Sequence, residues 1–238
     1  MAEYVVEFGK DGRPVEPDGR LDAAAFHRNH APIWAVLQKF LAGKSGDVVE
    51  AGSGTGQHVG AFRTHTPDII WWPSDLNERH LKSIEAWRAH AGLPNIRPPL
   101  RIDLTDPAWC PAMHDGSGPA ELLAVFCANV IHIAPWRVAE GLFAGAGALS
   151  AQRRAAVSLR PVQARRQAHR DEQCRVRHQP SRAGCRMGRA RHRQISRSSP
   201  AGVGLALVEA VPMPANNMIL VLRTIGPCRR RRFPARQL

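Results

Sequence analysis

Apolar residues recur every three or four positions between residues 22 and 43, which is the first regular pattern in the chain. The positions that share this repeat are Ile33, Leu37, Phe40 and Leu41. A repeat of this length places its apolar side chains on one face of a helix. Proline is tolerated in a first helical turn and glycine is typical of a helix end. The pattern therefore predicts an amphipathic helix with Pro32 in its first turn and Gly43 at its end.

Short apolar runs and helical patterns alternate through the next hundred residues. The runs cover residues 47–51, 69–75, 99–103 and 122–129. The helical patterns between and after them cover residues 52–65, 77–92 and 134–149. Strands that alternate with helices predict a parallel sheet with helices on both of its faces. Near the end of the chain, the apolar runs at 204–211 and 218–223 predict a hairpin added to that sheet.

A glycine-rich turn joins the first of these strands to the next helical pattern. Glu50 stands two positions before the turn, which consists of Gly52, Ser53, Gly54, Thr55 and Gly56. Glycine lets a backbone pass close to a ligand, and the first N–H groups of a helix are free to bind one. A dinucleotide-binding turn needs its third glycine at the position of Gln57. The spacing is instead typical of a turn that binds S-adenosylmethionine, and the alternative is a tight loop without a ligand.

Polar side chains end the next three strands. Asp75 with Leu76 closes the second strand, Asp103 with Leu104 the third, and Asn129 the fourth. A carboxylate after the second strand can accept hydrogen bonds from both ribose hydroxyls, and Asp103 can accept one from an adenine amino group. Asn129 then falls near the methionine end of the cofactor. An acid after a strand is also a common helix cap. Because the carboxyl ends of parallel strands meet at one edge, the set favours a binding site there.

Several segments together resemble the methyltransferase-like 26 family, a group of class I S-adenosylmethionine-dependent methyltransferases of unassigned substrate. They are residues 71–106 and the stretches "RLDAAAFHRNHAPIWAVL", "VVEAGSGTGQH", "VFCANVIHIAPW" and "MPANN". The resemblance covers residues 13–148 and 201–224. It implies a Rossmann-like α/β fold with a seven-stranded sheet of order 3-2-1-4-5-7-6 and an antiparallel last strand. One departure is Leu123, where such sheets often carry an aspartate.

The motifs and the resemblance predict methyl transfer from S-adenosylmethionine to an acceptor that the sequence does not identify. Most of such catalysis is positioning, because the sulfonium is already activated. His132, just past the fourth strand, is a candidate base, and the alternative is a structural role. We expect His27, Arg28 and Asn29, ahead of the first core helix, to cover the cofactor, with helix capping or simple solvation as the alternative.

The net charge of +13 comes from two arginine-rich segments. Residues 151–200 hold fourteen arginines, no lysine and two acids, and residues 225–238 add five arginines. A surface that binds phosphates normally mixes lysine with arginine and interleaves apolar residues. Residues 167–180 lack any strand or helix periodicity, and the segment 149–200 offers no clear fifth strand, although the resemblance places one there. Permitted codons read one base later restore a glycine turn, a strand and a loop, which favours a frameshift near residue 150 that is restored near 195–200.

This interpretation divides the chain into four parts. They are a cofactor-binding α/β half (1–148), an out-of-frame disordered segment (149–200), a C-terminal hairpin of the same domain (201–224) and a basic tail (225–238). We expect the fifth strand to be lost or disordered. The hairpin then lacks its neighbour in the sheet, and exposed backbone costs stability. The chain is therefore expected to be poorly stable and impaired as an enzyme.

The cysteines form no C-x-x-C pair. They are Cys110, Cys127, Cys174, Cys185 and Cys228. A finger built from Cys174, His178, Cys185 and His192 matches no ordinary zinc spacing, so no metal is expected. No leader and no apolar run near ~20 residues is found, so we expect a cytoplasmic protein without a membrane partner.

Two other function classes remain open. A nicotinamide-dependent oxidoreductase would share the sheet and the acid after the second strand, but the glycine spacing argues against it. An arginine-rich nucleic-acid-binding protein would use the basic block, and its binding would fall steeply with salt. On the frameshift interpretation, nucleic acid is not an expected partner.

Overall fold

The computed structural model of the chain describes residues 17–92, 94–106, 109, 118–119, 122–131, 133–152, 157–161, 204–213 and 217–224. Four helices and seven strands lie in these ranges. The helices are α1 (Ala24–Leu41), α2 (Gln57–Phe62), α3 (Glu78–Ala91) and α4 (Trp136–Gln152), and a 3-10 turn covers Arg63–His65. The strands are β1 (Gly46–Ala51), β2 (Ile69–Asp75), β3 (Leu100–Arg101), β4 (Leu122–Phe126), β5 (Val157–Pro161), β6 (Leu205–Met213) and β7 (Asn217–Thr224).

All seven strands belong to one sheet, whose order is β3-β2-β1-β4-β5-β7-β6. β1 lies at the centre and pairs in parallel with β2 and with β4. β7 runs antiparallel between β5 and β6, so the last two strands form the expected hairpin. This is the order that the resemblance implied. A mostly parallel sheet with helices confirms the predicted Rossmann-like α/β fold class.

Successive residues of each central strand pack on opposite faces of the sheet. On β2, Trp71 joins a buried cluster that also contains Leu37 of α1, while Trp72 joins a second cluster with Leu142 of α4. Residues on β1, β4 and β7 divide between the clusters in the same way. Since neighbouring strand residues point to opposite faces, the apolar runs are buried on both sides. Continuous apolar runs are therefore what this sheet requires.

The fifth strand is present, and our expectation that it is lost or disordered was wrong. β5 pairs in parallel with β4, with Ala124 opposite Val157, and antiparallel with β7, with Leu159 opposite Val221. Val157 and Leu159 have the two-residue spacing of a strand, which the surrounding arginines obscured. The facing edges of β4 and β7 also carry backbone N–H and C=O groups that need hydrogen-bond partners. A short extended segment can supply these partners whatever its side chains are. Residues 162–200 lie outside the described part of the chain.

Helix α1 begins earlier than predicted. It starts at Ala24, so Pro32 stands inside it and not in its first turn. Proline lacks an N–H and interrupts the helix ladder. Contacts of the first two turns with α2, such as those of Phe26 and Asn29 with His58, offset this cost and stabilise the helix upstream of the proline. Gly43 follows the helix with a φ of 66°, as expected of a helix end.

None of the helices in the described ranges is both long enough and apolar enough to span a membrane.

Candidate functional site

The glycine turn after β1 has a backbone that other residues would not adopt without strain. Gly52, Gly54 and Gly56 have φ values of 70°, 59° and 87°. A Cβ on Gly52 would lie 2.6 Å from the Val130 side chain, and one on Gly56 would lie 2.9 Å from the Cα of Ile84. Positive φ and close approach together require glycine at these positions. The glycine spacing of this turn thus has a steric basis in contacts within the protein.

Hydrogen bonds hold this turn against the end of β2. The Ser53 N–H donates to the Ser74 carbonyl at 2.8 Å, and the Ser74 hydroxyl donates to the Glu50 carbonyl at 2.8 Å. The Gly54 N–H donates to Oδ2 of Asp75 at 2.9 Å. The turn and the strand end are therefore one rigid unit, which fixes the edge of the sheet where a ligand would lie.

Asp75 is positioned by three donors. Oδ1 accepts from the Asn77 N–H at 2.9 Å and contacts His80 Nδ1 at 3.1 Å, while Oδ2 accepts from Gly54. Its side chain is only 13% exposed. Because each carboxylate oxygen has more than one lone pair, the group retains acceptor capacity for a ligand. The carboxylate is thus oriented before any ligand arrives.

Asp103 was predicted to end the third strand, but β3 ends at Arg101 and Asp103 lies in the loop two residues later, where it is oriented from one side. The Thr105 N–H and the Thr105 hydroxyl both donate to its Oδ1, at 2.8 and 2.7 Å. Among the described residues, both hydrogen bonds to Asp103 end on Oδ1, so Oδ2 is available to a donor in the cleft. Asn129 was predicted to end the fourth strand, but β4 ends at Phe126 and Asn129 lies three residues later with a φ of 57°, a conformation that asparagine tolerates better than most residues.

These strand ends surround a cavity of about 150 Å³. Nine of the predicted cofactor residues line it: Gly52, Ser53, Gly54, Thr55, Asp75, Leu76, Asp103, Leu104 and Asn129. The two exceptions are Glu50, which is buried behind the turn, and Gly56, which packs against α3. Residues from four neighbouring strand ends therefore converge on one space, as the parallel sheet predicted.

Glu50 is a buried carboxyl with an unusual environment. It is 1% exposed, and among the described residues Oε2 has no hydrogen-bond partner. Burial raises the pKa of Glu50 from its ordinary value near 4.5 to about 8; the Ser53 hydroxyl opposes the shift and the Asp75 charge adds to it. The carboxyl is thus mainly protonated at neutral pH without a ligand.

This shift predicts a pH-dependent stability. The folded chain keeps the Glu50 proton up to about pH 8, whereas the unfolded chain releases it near pH 4.5. The contribution of Glu50 to the free energy of unfolding therefore falls by about 1.4 kcal/mol for each pH unit as the pH rises through that window. We expect Glu50→Gln to melt at an increasingly higher temperature than the parent between pH 5 and pH 8, apart from a constant offset. A difference in melting temperature that does not vary with pH would contradict the buried, protonated Glu50.

A network of polar side chains ties the start of α1 to the glycine turn. Gln57 Oε1 accepts from the Ala23 N–H at 2.7 Å and from the Thr55 hydroxyl at 2.9 Å, while its Nε2 donates to Asp22 Oδ1 at 2.7 Å. This network brings Ala23, Ala25 and Phe26 to the cavity wall. It also explains how the helix begins upstream of its proline.

The residues expected to cover the cofactor lie differently from the prediction. His27 and Arg28 are exposed on α1, His27 contacts Asp22 at 2.7 Å, and Asn29 bonds to His58 at 2.9 Å. None of the three lines the cavity, since the cover is formed by the preceding residues. These positions belong to the helix and do not precede it, because α1 starts eight residues before Pro32. His132, the candidate base, lies outside the described residues.

His58 is a cavity residue that the sequence analysis did not single out. It is 9% exposed, follows the glycine turn, and is surrounded by aromatic rings. Burial, and secondarily the neighbouring His30, lower its pKa to about 4. The ring is therefore neutral at neutral pH. Its place directly after the glycine turn was the one signal available in the sequence.

The chain matches one protein family and is similar to solved structures. The model of a family described as "Protein of unknown function (DUF938)" matches residues 20–224. The chain is also similar to a solved SAM-dependent methyltransferase from Aquifex aeolicus, with 13% identity, a TM-score of 0.56, and coverage of 86% of this chain and 94% of that one.

Two further solved structures have the same fold. A ribosomal protein L11 methylase from Lactobacillus delbrueckii subsp. bulgaricus shares 10% identity at a TM-score of 0.51, with coverage of 82% of this chain and 78% of that one. An O-methyltransferase family protein from Burkholderia thailandensis shares 14% identity at a TM-score of 0.52, with coverage of 86% of this chain and 58% of that one. At these identities the likeness establishes a shared methyltransferase-type fold.

Proposed function

The chain belongs to the family described as "Protein of unknown function (DUF938)", and we propose that it is an S-adenosylmethionine-dependent methyltransferase. One observation carries the proposal: the glycine turn, Asp75 and Asp103 meet around a single cavity at the carboxyl edge of the parallel sheet. Ligands of open α/β sheets bind at this edge. The fold of the solved methyltransferases supports the same conclusion.

Each strand end has a part in the proposed site. Asp75 accepts the ribose hydroxyls, for which its orientation by Gly54 and Asn77 prepares it. Asp103 accepts the adenine amino group on Oδ2, and Leu104 packs against the ring. The glycine turn and Asn129 hold the methionine end, with Glu50 supporting the turn from behind. Because Gly52 and Gly54 have no side chains, the ligand can approach the backbone of the turn closely.

The reaction is an in-line substitution at the methyl carbon. A lone pair of the acceptor forms the new bond to carbon while the carbon–sulfur bond breaks, and that electron pair goes to sulfur. S-adenosylhomocysteine leaves together with one proton from the acceptor. The described residues contribute by positioning, which supplies most of the acceleration for an activated methyl donor. We propose His132 as the base that takes the proton.

We further infer that the chain is a methyltransferase-like 26 protein with a frameshifted segment. The arginine-rich residues 162–200 support this proposal, and β5 does not oppose it, because backbone pairing can recruit a five-residue segment of any frame. On this proposal the four parts of the chain keep the boundaries given above, although α4 extends into the out-of-frame segment as far as Gln152 and that segment also supplies β5. The acceptor side of the site then lacks its proper loop, so methyl transfer is impaired even though the sheet is complete.

Sequencing the source DNA across codons 140 to 238, with the intact protein mass beside it, tests the frameshift. We expect a one-base change that opens the alternative frame from near residue 150 to near 195–200. A confirmed reading frame in several independent isolates, each with the arginine-rich segment, would remove the frameshift proposal and favour a genuine basic segment.

Cofactor binding is tested by calorimetric titration of the purified chain with S-adenosylhomocysteine and, in parallel, with a nicotinamide dinucleotide. We expect saturable binding of the first at one site and none of the second at the same concentrations. The missing third glycine of the dinucleotide turn is the physical reason. Binding of the nicotinamide dinucleotide alone would reverse the assignment in favour of an oxidoreductase.

A further inference from the structure

His58 lies on the side of the cavity next to β4, away from the strands that precede the proposed adenosine contacts. In the sheet, β2 and β3 stand on one side of β1, and β4 stands on the other. Asp75 and Asp103 follow β2 and β3, whereas the His58 ring lies 6.3 Å, centroid to centroid, from the ring of Phe126 in β4. With adenosine over β2 and β3, the methionyl part of the cofactor reaches this side.

The His58 ring is held in one orientation. Phe26 and Phe126 contact it edge to face, and Phe62 stacks on it with a centroid distance of 5.6 Å. Its Nε2 lies 2.9 Å from Oδ1 of Asn29. An amide oxygen only accepts hydrogen bonds, so Nε2 carries the proton and Nδ1 is left as an acceptor. The ring thus presents one fixed acceptor nitrogen.

The hydroxyl groups of the glycine turn are already committed within the protein. The Ser53 hydroxyl donates to the Glu50 carbonyl and accepts from the Ser74 N–H. The Thr55 hydroxyl donates to Gln57. Glu50 itself does not reach the cavity wall. His58 and Asn129 are therefore the side chains that a cationic group at this end would meet, and His58 is the one held among aromatic rings.

We propose that His58 binds the α-ammonium group of the cofactor's methionyl end through Nδ1. The inference rests on the proposed function and names the residue that distinguishes S-adenosylmethionine and S-adenosylhomocysteine from truncated adenosyl thioethers. An ammonium group offers three donors, and a neutral imidazole in a nearly dry pocket is a suitable acceptor for one of them. The surrounding phenylalanine rings favour the cation as well.

The test compares two ligands on the same protein. S-adenosylhomocysteine carries the amino-acid end, whereas 5′-methylthioadenosine keeps the adenine, ribose and thioether and lacks that end. We expect His58→Leu to weaken S-adenosylhomocysteine binding roughly 10- to 100-fold, the value of a hydrogen bond to a charged group. Binding of 5′-methylthioadenosine should change less than about threefold, and this second ligand also shows that the pocket is folded.

Two further variants complete the experiment. His58→Asn places an amide oxygen near the position of Nδ1 and is expected to recover most of the S-adenosylhomocysteine affinity. His65→Leu makes the same change at an exposed histidine that stacks on Trp34, and is expected to leave both affinities unchanged.

The outcomes separate this inference from the proposed function. An equal loss for both ligands in His58→Leu, or no loss for either, overturns the role of His58 and leaves the proposed function standing. Equal affinity of the parent chain for the two ligands would also overturn the role of His58, because the amino-acid end would then contribute nothing to binding. A parent chain that binds neither ligand overturns the proposed function itself.

Discussion

We expect replacement of Asp75 with Ala to lower the affinity of the chain for S-adenosylhomocysteine by at least about 100-fold. In the proposed site, the ribose would lose two hydrogen bonds to a charged acceptor, each contributing roughly 1.5–3 kcal/mol. The Gly54 N–H loses its acceptor at 2.9 Å, so the glycine turn also loses a constraint next to the ligand. Titration calorimetry at neutral pH measures the change.

Two other variants identify the cause of that loss. Asp75→Asn keeps the shape and one acceptor oxygen, so we expect a smaller loss of roughly tenfold. Glu78→Gln removes a nearby carboxylate that pairs with Arg101 at 3.2 Å on the surface, where both side chains are more than 60% exposed. It should leave the affinity unchanged, because exposed pairs contribute little. An Asp75→Ala chain that binds within threefold of the parent would disprove the ribose assignment.

Replacing Gly141 with Ala is expected to destabilise the fold by about 3 kcal/mol. A Cβ at this position of α4 overlaps the carbonyl oxygen of Leu104, which belongs to the backbone and cannot rotate away. Overpacking against backbone costs about 1–3 kcal/mol and more where nothing yields. At this chain length the melting temperature should fall by roughly 6–12 °C.

The same substitution reports on the site, because the displaced loop carries Asp103 and Leu104. We therefore expect weaker S-adenosylhomocysteine binding in Gly141→Ala in addition to the lower melting temperature. Gly60→Ala is the matched control, since its Cβ would meet Trp87 only at an ordinary 3.8 Å and alanine favours a helix. It should melt at or above the parent temperature. A Gly141→Ala chain as stable as Gly60→Ala would contradict the close packing of α4 on the loop.

The central strands and the turn were predictable because their causes are local. The apolar runs that include Trp71 and Val125 must be buried on both faces, so they read as strands without knowledge of their neighbours. The glycine spacing reflects steric contacts of single residues with Val130 and Ile84. Asp75 and Asp103 could be grouped because parallel strands bring their carboxyl ends to one edge.

The remaining features depend on contacts between distant parts of the chain. β5 forms because β4 and β7 supply backbone partners on both sides, and its own sequence gives only a weak signal. The early start of α1 depends on Gln57, more than thirty residues away. His58 becomes a site residue through Asn29 and three phenylalanines. No local periodicity encodes such pairings, which is why sequence patterns did not reveal them.

Amide hydrogen exchange with and without saturating S-adenosylhomocysteine tests the central claim most directly, because it reports both binding and its location. Exchange should slow in peptides that cover residues 52–58, 75–80 and 103–105, where the glycine turn and the two aspartates surround the cavity. The hairpin of β6 and β7 should exchange at an unchanged rate. Protection confined to that hairpin, or no protection anywhere in the chain, would contradict a cofactor site at the carboxyl edge of this sheet.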